Sequence, residues 1–208
     1  MVRKILPMLL VLIGLGLVGC GNYGEVEQGR VVKWDPEAKP PKVWIVPDSN
    51  TIEGKPPVYD KVPADVFELP TDTAERGADP FAALRVNLDV ERKIITMYNL
   101  ESGALEKLPF EVVKDDTGVS VRRKHPLVYD TTTGKEREFP VIDDAEKTIT
   151  IYSRRQERLT TIKLSDTDFA KYEGKEWDAG DEVRVYYKEK GKSLRFMNVT
   201  KTDFSRRK

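Results

Sequence analysis

Over 208 residues the chain carries 35 basic and 35 acidic side chains, so it lacks the positive excess with which nucleic-acid-binding proteins meet phosphate. A single cysteine, Cys20, excludes an internal disulfide and a cysteine-ligated metal, and a single histidine, His125, excludes a multi-histidine metal site. No cofactor is expected.

The first residues read as an export signal. Arg3 and Lys4 supply positive charge, Ile5 to Leu17 an apolar run broken by Pro7, Gly14 and Gly16, and Gly19 a small residue before Cys20. This predicts a signal peptide over residues 1–19. The apolar run is shorter than the ~20 residues a membrane-spanning helix needs. Leu17-Val18-Gly19-Cys20 resembles the lipobox of bacterial lipoprotein precursors. The resemblance implies cleavage between Gly19 and Cys20, a diacylglyceryl group on the Cys20 thiol and acylation of the new amine. Gly21 follows in place of Asp, which implies the outer membrane, facing the periplasm. Two or three acyl chains bury on the order of 30 methylenes at ~0.8 kcal/mol each, an effectively irreversible attachment. Loss of Arg3 and Lys4 leaves 33 basic against 35 acidic groups.

Residues 20–29 read as the lipidated cysteine and a short polar tether. Val31 to Trp34 and Val43 to Val46 are rich in β-branched and aromatic residues and predict strands. Between Pro47 and Pro80, repeated prolines and acidic residues predict an extended segment that docks through Val58, Tyr59, Val66, Phe67 and Leu69. Asp79-Pro80 predicts one helical turn to Leu84. From there strands are expected at Ile94–Tyr98, Leu105–Val113, Gly118–Arg122, Pro126–Tyr129, Phe139–Ile142, Thr148–Tyr152, Leu159–Leu164, Val183–Tyr187 and Leu194–Val199. One short helix is expected at Asp166–Tyr172.

An internal repeat runs through this pattern. Asp35, Asp89 and Asp143 each open an Asp-x-x-x-Lys segment, 54 residues apart, and Asp89–Phe110 overlays Asp143–Leu164 without a gap. A second block, Val128–Ile142, overlays Val185–Val199 at 57 residues. The expectation is an all-β protein of antiparallel meander or Greek-key units, with little helix. A degenerate first unit spans 30–83, two further units span 84–142 and 143–203, and 204–208 form a basic tail. Gly180-Asp181-Glu182 leading into Val183–Tyr187 is similar to the closing strands of small barrels of the OB type. Phe139–Asp143, Thr148–Ser153, Gly180–Tyr187 and Arg195–Thr200 together resemble an uncharacterised lipoprotein domain family of sulfate-reducing bacteria. That resemblance brings no activity, ligand or catalytic residue.

No catalytic motif accompanies His125, which reads as a loop residue before Pro126. Asp115-Asp116, Asp143-Asp144 and Asp166-x-Asp168 lack the glycine and terminal Glu of a calcium loop and read as turns. Met97, Met197 and Trp177 read as core or interface. The basic groups Arg154, Arg155 and Arg158 read either as solvated turn residues or as contacts to an anionic surface. Trp34, Trp44, Tyr186 and Tyr187 are candidates for recognition or for core packing. The function expected is that of a non-enzymatic, lipid-anchored envelope module that binds a partner protein or another copy of itself. The alternative is a periplasmic module for a small ligand or glycan, which requires a concave aromatic face.

Overall fold

The computed structural model describes residues 24–50 and 56–202; Gly19, Cys20 and the tail 204–208 lie outside the described residues. The strands are β1 (Glu25–Asp35), β2 (Lys42–Pro47), β3 (Asp65–Glu68), β4 (Arg85–Asp89), β5 (Ile94–Tyr98), β6 (Leu105–Pro109) and β7 (Glu111–Thr117). They continue with β8 (Tyr129–Asp130), β9 (Lys135–Glu136), β10 (Val141–Asp143), β11 (Thr148–Ser153), β12 (Arg158–Lys163), β13 (Glu182–Glu189) and β14 (Lys192–Asn198). Helix α1 (Asp166–Phe169) and a 3-10 turn (Gly174–Trp177) precede β13. The protein is all-β, with a small closed barrel and antiparallel sheets.

The barrel is formed by β1, β2, β3, β14 and β13 in cyclic order. Counted along the chain this is 1-2-3-5-4-1, with the third and fifth strands parallel, the order of an OB-type barrel. Period-two alternation builds it: Val183, Val185 and Tyr187 of β13 point inward and are buried, while Arg184 points out. Val31, Val43, Ile45, Phe67 and Phe196 fill the interior. The seam between β14 and β3 has one register pair, Lys192 with Glu68. Lys190 reinforces that end, with its Nζ 2.7 Å from Glu27 and 2.6 Å from Asp65.

Inserted between β3 and β13 is a second body made of two facing meanders. One is β4-β5-β6; the other is β10-β11-β12, extended at its far edge by β7. The 54-residue repeat is reproduced in the strand register. Asp89 faces Ile94 and Tyr98 faces Leu105 in the first meander; Asp143 faces Thr148 and Tyr152 faces Leu159 in the second. Phe110 N–H donates to Lys93 O at 3.1 Å and Leu164 N–H to Lys147 O at 3.2 Å. Lys93 and Lys147 both adopt left-handed backbone, at φ 56° and 54°. Ile95, Met97, Leu108 and Phe110 of one copy meet Ile149, Ile151, Ile162 and Leu164 of the other, in one core closed by Phe169, Tyr172 and Trp177. The 57-residue match sets one antiparallel hairpin on another in a different register: β8 and β9 form a separate two-stranded ribbon in which Asp130 pairs with Lys135, whereas Tyr187 of β13 pairs with Ser193, and each hairpin carries a left-handed glycine, Gly134 or Gly191.

Several expectations are corrected. The tether is shorter than 20–29, because Glu25–Gly29 pair with Val183–Tyr187 of β13; the partner strand supplies what this polar segment's own residues do not advertise. The strands group differently from units 30–83, 84–142 and 143–203, since β13 and β14 close the barrel begun by β1–β3. Asp79–Leu84 is not helical: the N–H groups of Phe81, Ala83 and Leu84 donate to Asp181, Val31 and Glu176 instead. The segment Leu105–Val113 divides at Phe110 into strands of two different sheets. Gly118–Arg122 and Pro126–Tyr129 are mainly turns, closed by Lys124 N–H on Val121 O and His125 N–H on Ser120 O, although Val119 and Val128 are buried there. The Pro-rich segment contains a barrel strand, β3, and buries Tyr59, Phe67 and Leu69 while Val58 and Val66 stay exposed.

The two bodies are joined where the segment 178–181 meets β1 and β4. Arg30 donates to Gly180 O at 2.8 Å, and buried Asp181 accepts from Phe81 N–H at 2.8 Å and from the Asn198 amide at 2.7 Å. Val32 and Val46 of the barrel pack with Val86 and Tyr98 of the first meander.

Candidate functional site

The basic residues singled out in the sequence lie around the β11–β12 turn. Arg158 makes a two-pronged pair with Asp115, Nε to Oδ1 at 2.7 Å, and this holds the Asp115 carboxyl below the usual range. Arg154 pairs with Glu136, and Arg155 has no ion-pair partner among the described residues. Two of the three cations are thus neutralised by the chain's own carboxylates. His125 sits in its loop, accepting Leu127 N–H on Nδ1 at 3.3 Å. Asp143 accepts the Ala145 and Glu146 N–H groups of its turn. Among the described residues no group of three His, Cys, Asp or Glu side chains is placed to hold a metal ion, and no helix is long and apolar enough to cross a membrane.

The four aromatics divide. Tyr187 is inside the barrel, its ring 5.1 Å from Phe67 and its hydroxyl donating to Glu25 at 2.9 Å. Trp34 is half-buried against the barrel core, and Trp44 is half-buried against the barrel–meander junction with Lys33 4.5 Å above its ring. Tyr186 opens into a groove of about 480 Å³ on the outer face of β1, β13 and β14.

Signals too weak to find in the sequence converge on β10. This three-residue strand pairs with β11 on one edge only. Two clefts of about 460 and 560 Å³, sharing Ile142 and Gly174, run between it and the wall formed by α1 and the 3-10 turn. A third cleft, of about 540 Å³, opens on the opposite sheet face at Phe139 and Val141. Trp177 sets the wall: its Nε1–H donates to Tyr172 O at 3.1 Å, and its ring lies 6.0 Å from Phe169. The paired clefts carry Glu138, Asp144, Asp166, Glu173 and Asp178 against Lys147 and Lys175, an acidic balance. Burial pushes the Asp178 carboxyl up, and burial lowers the neighbouring Arg85 to about 10, so the arginine stays charged at neutral pH.

The outer edge of the first meander offers a comparison. There Leu84 N–H donates to Glu176 O at 3.0 Å and Arg85 N–H to Asp178 O at 3.1 Å. A bulge breaks the 54-residue correspondence here, since Arg85 pairs with Met97 while Asn87 pairs with Thr96; ahead of β10, Glu138 and Phe139 lie outside any strand, and their N–H groups have no partner among the described residues. The outer edge of the first meander is capped by residues 176–178; β10 has no strand on its outer edge among the described residues.

An all-β protein with an OB-type barrel, two facing meanders and one uncapped, cleft-flanked strand edge is the class these features define. The model of a family described as a domain of unknown function, DUF4881, matches residues 22–207, and the chain belongs to that family. No curated protein and no solved structure matches.

Proposed function

We propose that this chain is a lipid-anchored lipoprotein of the bacterial envelope, held through Cys20 at the outer membrane and facing the periplasm. Its role is non-enzymatic: the open edge of β10 binds an extended segment of a partner protein by strand addition. The observation that carries this reading is the outer edge of β10, Val141–Asp143, unpaired among the described residues where residues 176–178 cap the outer edge of the first meander, with clefts on both faces of the strand. In strand addition the main chain supplies affinity, and alternate side chains of the incoming segment fall to opposite faces. The clefts stand where those side chains would fall. Their carboxylate excess favours a segment bearing lysine or arginine on that side.

The anchor rests on Leu17-Val18-Gly19-Cys20, and Cys20→Ser is expected to abolish incorporation of labelled palmitate; normal anchoring in that variant refutes it. For the edge, a photocrosslinking residue at Glu138 in the lipidated protein is expected to give a discrete adduct in its own envelope. Asp144→Lys together with Glu173→Lys is expected to remove that adduct. Crosslinking at Glu138 no greater than at exposed Leu100 would overturn the binding role.

A further inference from the structure

The outer face of β1, β13 and β14 is left uncovered by the second body, which packs against the β1–β2 side of the barrel through Val32 and Val46. Strand register sets Val26 beside Tyr186, and Tyr186 beside Arg195. Val26 is 60% exposed and Leu194 48% exposed, the former among the most open large apolar side chains of the chain. Arg184 donates to the amide oxygen of Gln28, at 2.8 and 3.2 Å, and the same Gln28 amide donates to Glu182. Arg195 stands 3.7 Å from Glu75, and both are well exposed. The face therefore combines an apolar patch, a tyrosine and two arginines.

Its position relative to the anchor gives it an occupant. Gly24, whose N–H donates to Tyr186 Oη at 3.3 Å, lies at the head of this same face. Cys20 is four residues upstream, and four fully extended residues reach about 14 Å. The headgroup region on each side of a bilayer is itself about 5–8 Å deep. A barrel tied by so short a tether cannot carry this face away from the lipid surface.

We propose that the β1–β13–β14 face lies on the bilayer. Val26, Leu194 and Tyr186 enter the headgroup layer and Arg184 and Arg195 contact lipid phosphates. Tyrosine favours such a boundary because one end is apolar and the other wet, and arginine matches phosphate with a two-pronged fork. This inference rests on the anchor reading and fixes the orientation in which the rest of the molecule is displayed.

The test uses the full lipidated chain in vesicles of phosphatidylethanolamine and phosphatidylglycerol, with a nitroxide at Leu194→Cys or, as a control, at Val141→Cys. At 194 accessibility to lipid-soluble oxygen is expected to exceed that to an aqueous nickel chelate, and at 141 the order is expected to reverse. Arg184→Glu with Arg195→Glu, lipidation intact, is expected to move the 194 label toward the aqueous pattern. A 194 label as aqueous as the 141 label, in a chain that does carry lipid, overturns the proposal. So does shielding of 194 in native envelopes but not in vesicles, which would assign the face to a protein. Absence of lipid on the chain is a separate result, and overturns the anchor reading first.

Discussion

Gly180→Ala tests how the barrel is fastened to the meanders. A Cβ at this position stands 1.7 Å from the Val31 carbonyl oxygen, 2.8 Å from its carbon and 3.2 Å from Ala83 N. The closest comfortable C···O approach is about 3.3 Å, so β1 must retreat by about 1.5 Å. That retreat breaks Val31 N–H to Asp181 O, at 3.0 Å, and Ala83 N–H to Val31 O, at 3.4 Å. Each bond is worth about 1 kcal/mol net, and displacing fully buried Val31 adds an overpacking cost of about 1–3 kcal/mol. A loss of about 3–5 kcal/mol corresponds to a fall in Tm of about 10 °C for a chain of this size. The control is Gly118→Ala, where φ is +72° and nothing lies within 4 Å, so only left-handed backbone strain of about 1 kcal/mol applies. Thermal unfolding followed by circular dichroism reads both. If Gly180→Ala lowers Tm no more than Gly118→Ala, the tight junction argued here is wrong.

The repeat makes a paired prediction: Lys93→Gly and Lys147→Gly each relieve left-handed strain and are expected to stabilise by about 0.5–1 kcal/mol. The gain is smaller at 147, whose Nζ lies 5.1 Å from the Phe169 ring. Urea midpoints check both. Asp115 supplies the pH test. Because Arg158 lowers its folded pKa, the pair's contribution is complete above the unfolded aspartate value and is lost as pH falls through the folded one. Asp115→Asn is expected to cost about 1 kcal/mol or less at neutral pH, the pair being partly exposed, and nothing once the carboxyl is protonated. A loss independent of pH would refute the ion pair as its source.

Much of the fold was legible because strands rich in β-branched and aromatic residues advertise themselves. Ile94–Tyr98, buried along most of its length, and Thr148–Tyr152, buried at alternate residues, read directly from that composition, and the Asp-x-x-x-Lys spacing located two meanders whose turns coincide. What was hidden depends on partners distant in sequence. Glu25–Gly29 is polar and becomes a strand only because β13 lies beside it; β3 is bracketed by prolines and becomes one because the barrel needs a third staves' worth of backbone pairing. The Asp79-Pro80 helix signal is local, and it loses to N–H acceptors some 100 residues away. For the candidate site the residue types misled in a physical way: Arg154 and Arg158 are spent on Glu136 and Asp115, and Tyr187 on the barrel interior. The open edge at β10 has no composition of its own, since it is defined by what fails to cover it.

That absence is itself measurable. Two copies of one meander share turn conformation, core face and register over Asn87–Asp89 and Val141–Asp143, but a bulge between Arg85 and Asn87 ends the correspondence ahead of that point. At Leu84 and Arg85 the N–H donors are taken by Glu176 and Asp178, and Ala179 bridges to both residues. At Glu138 and Phe139, just ahead of β10, the N–H groups have no acceptor among the described residues. Amide exchange is therefore expected to be slow at 84 and 85 and fast at 138 and 139 in the isolated protein. An extended partner segment that adds to β10 is expected to slow 138 and 139 and leave 84 and 85 unchanged. Equal protection of the two pairs in the isolated protein would mean that something else caps the second edge, and strand addition there would have no donors to use.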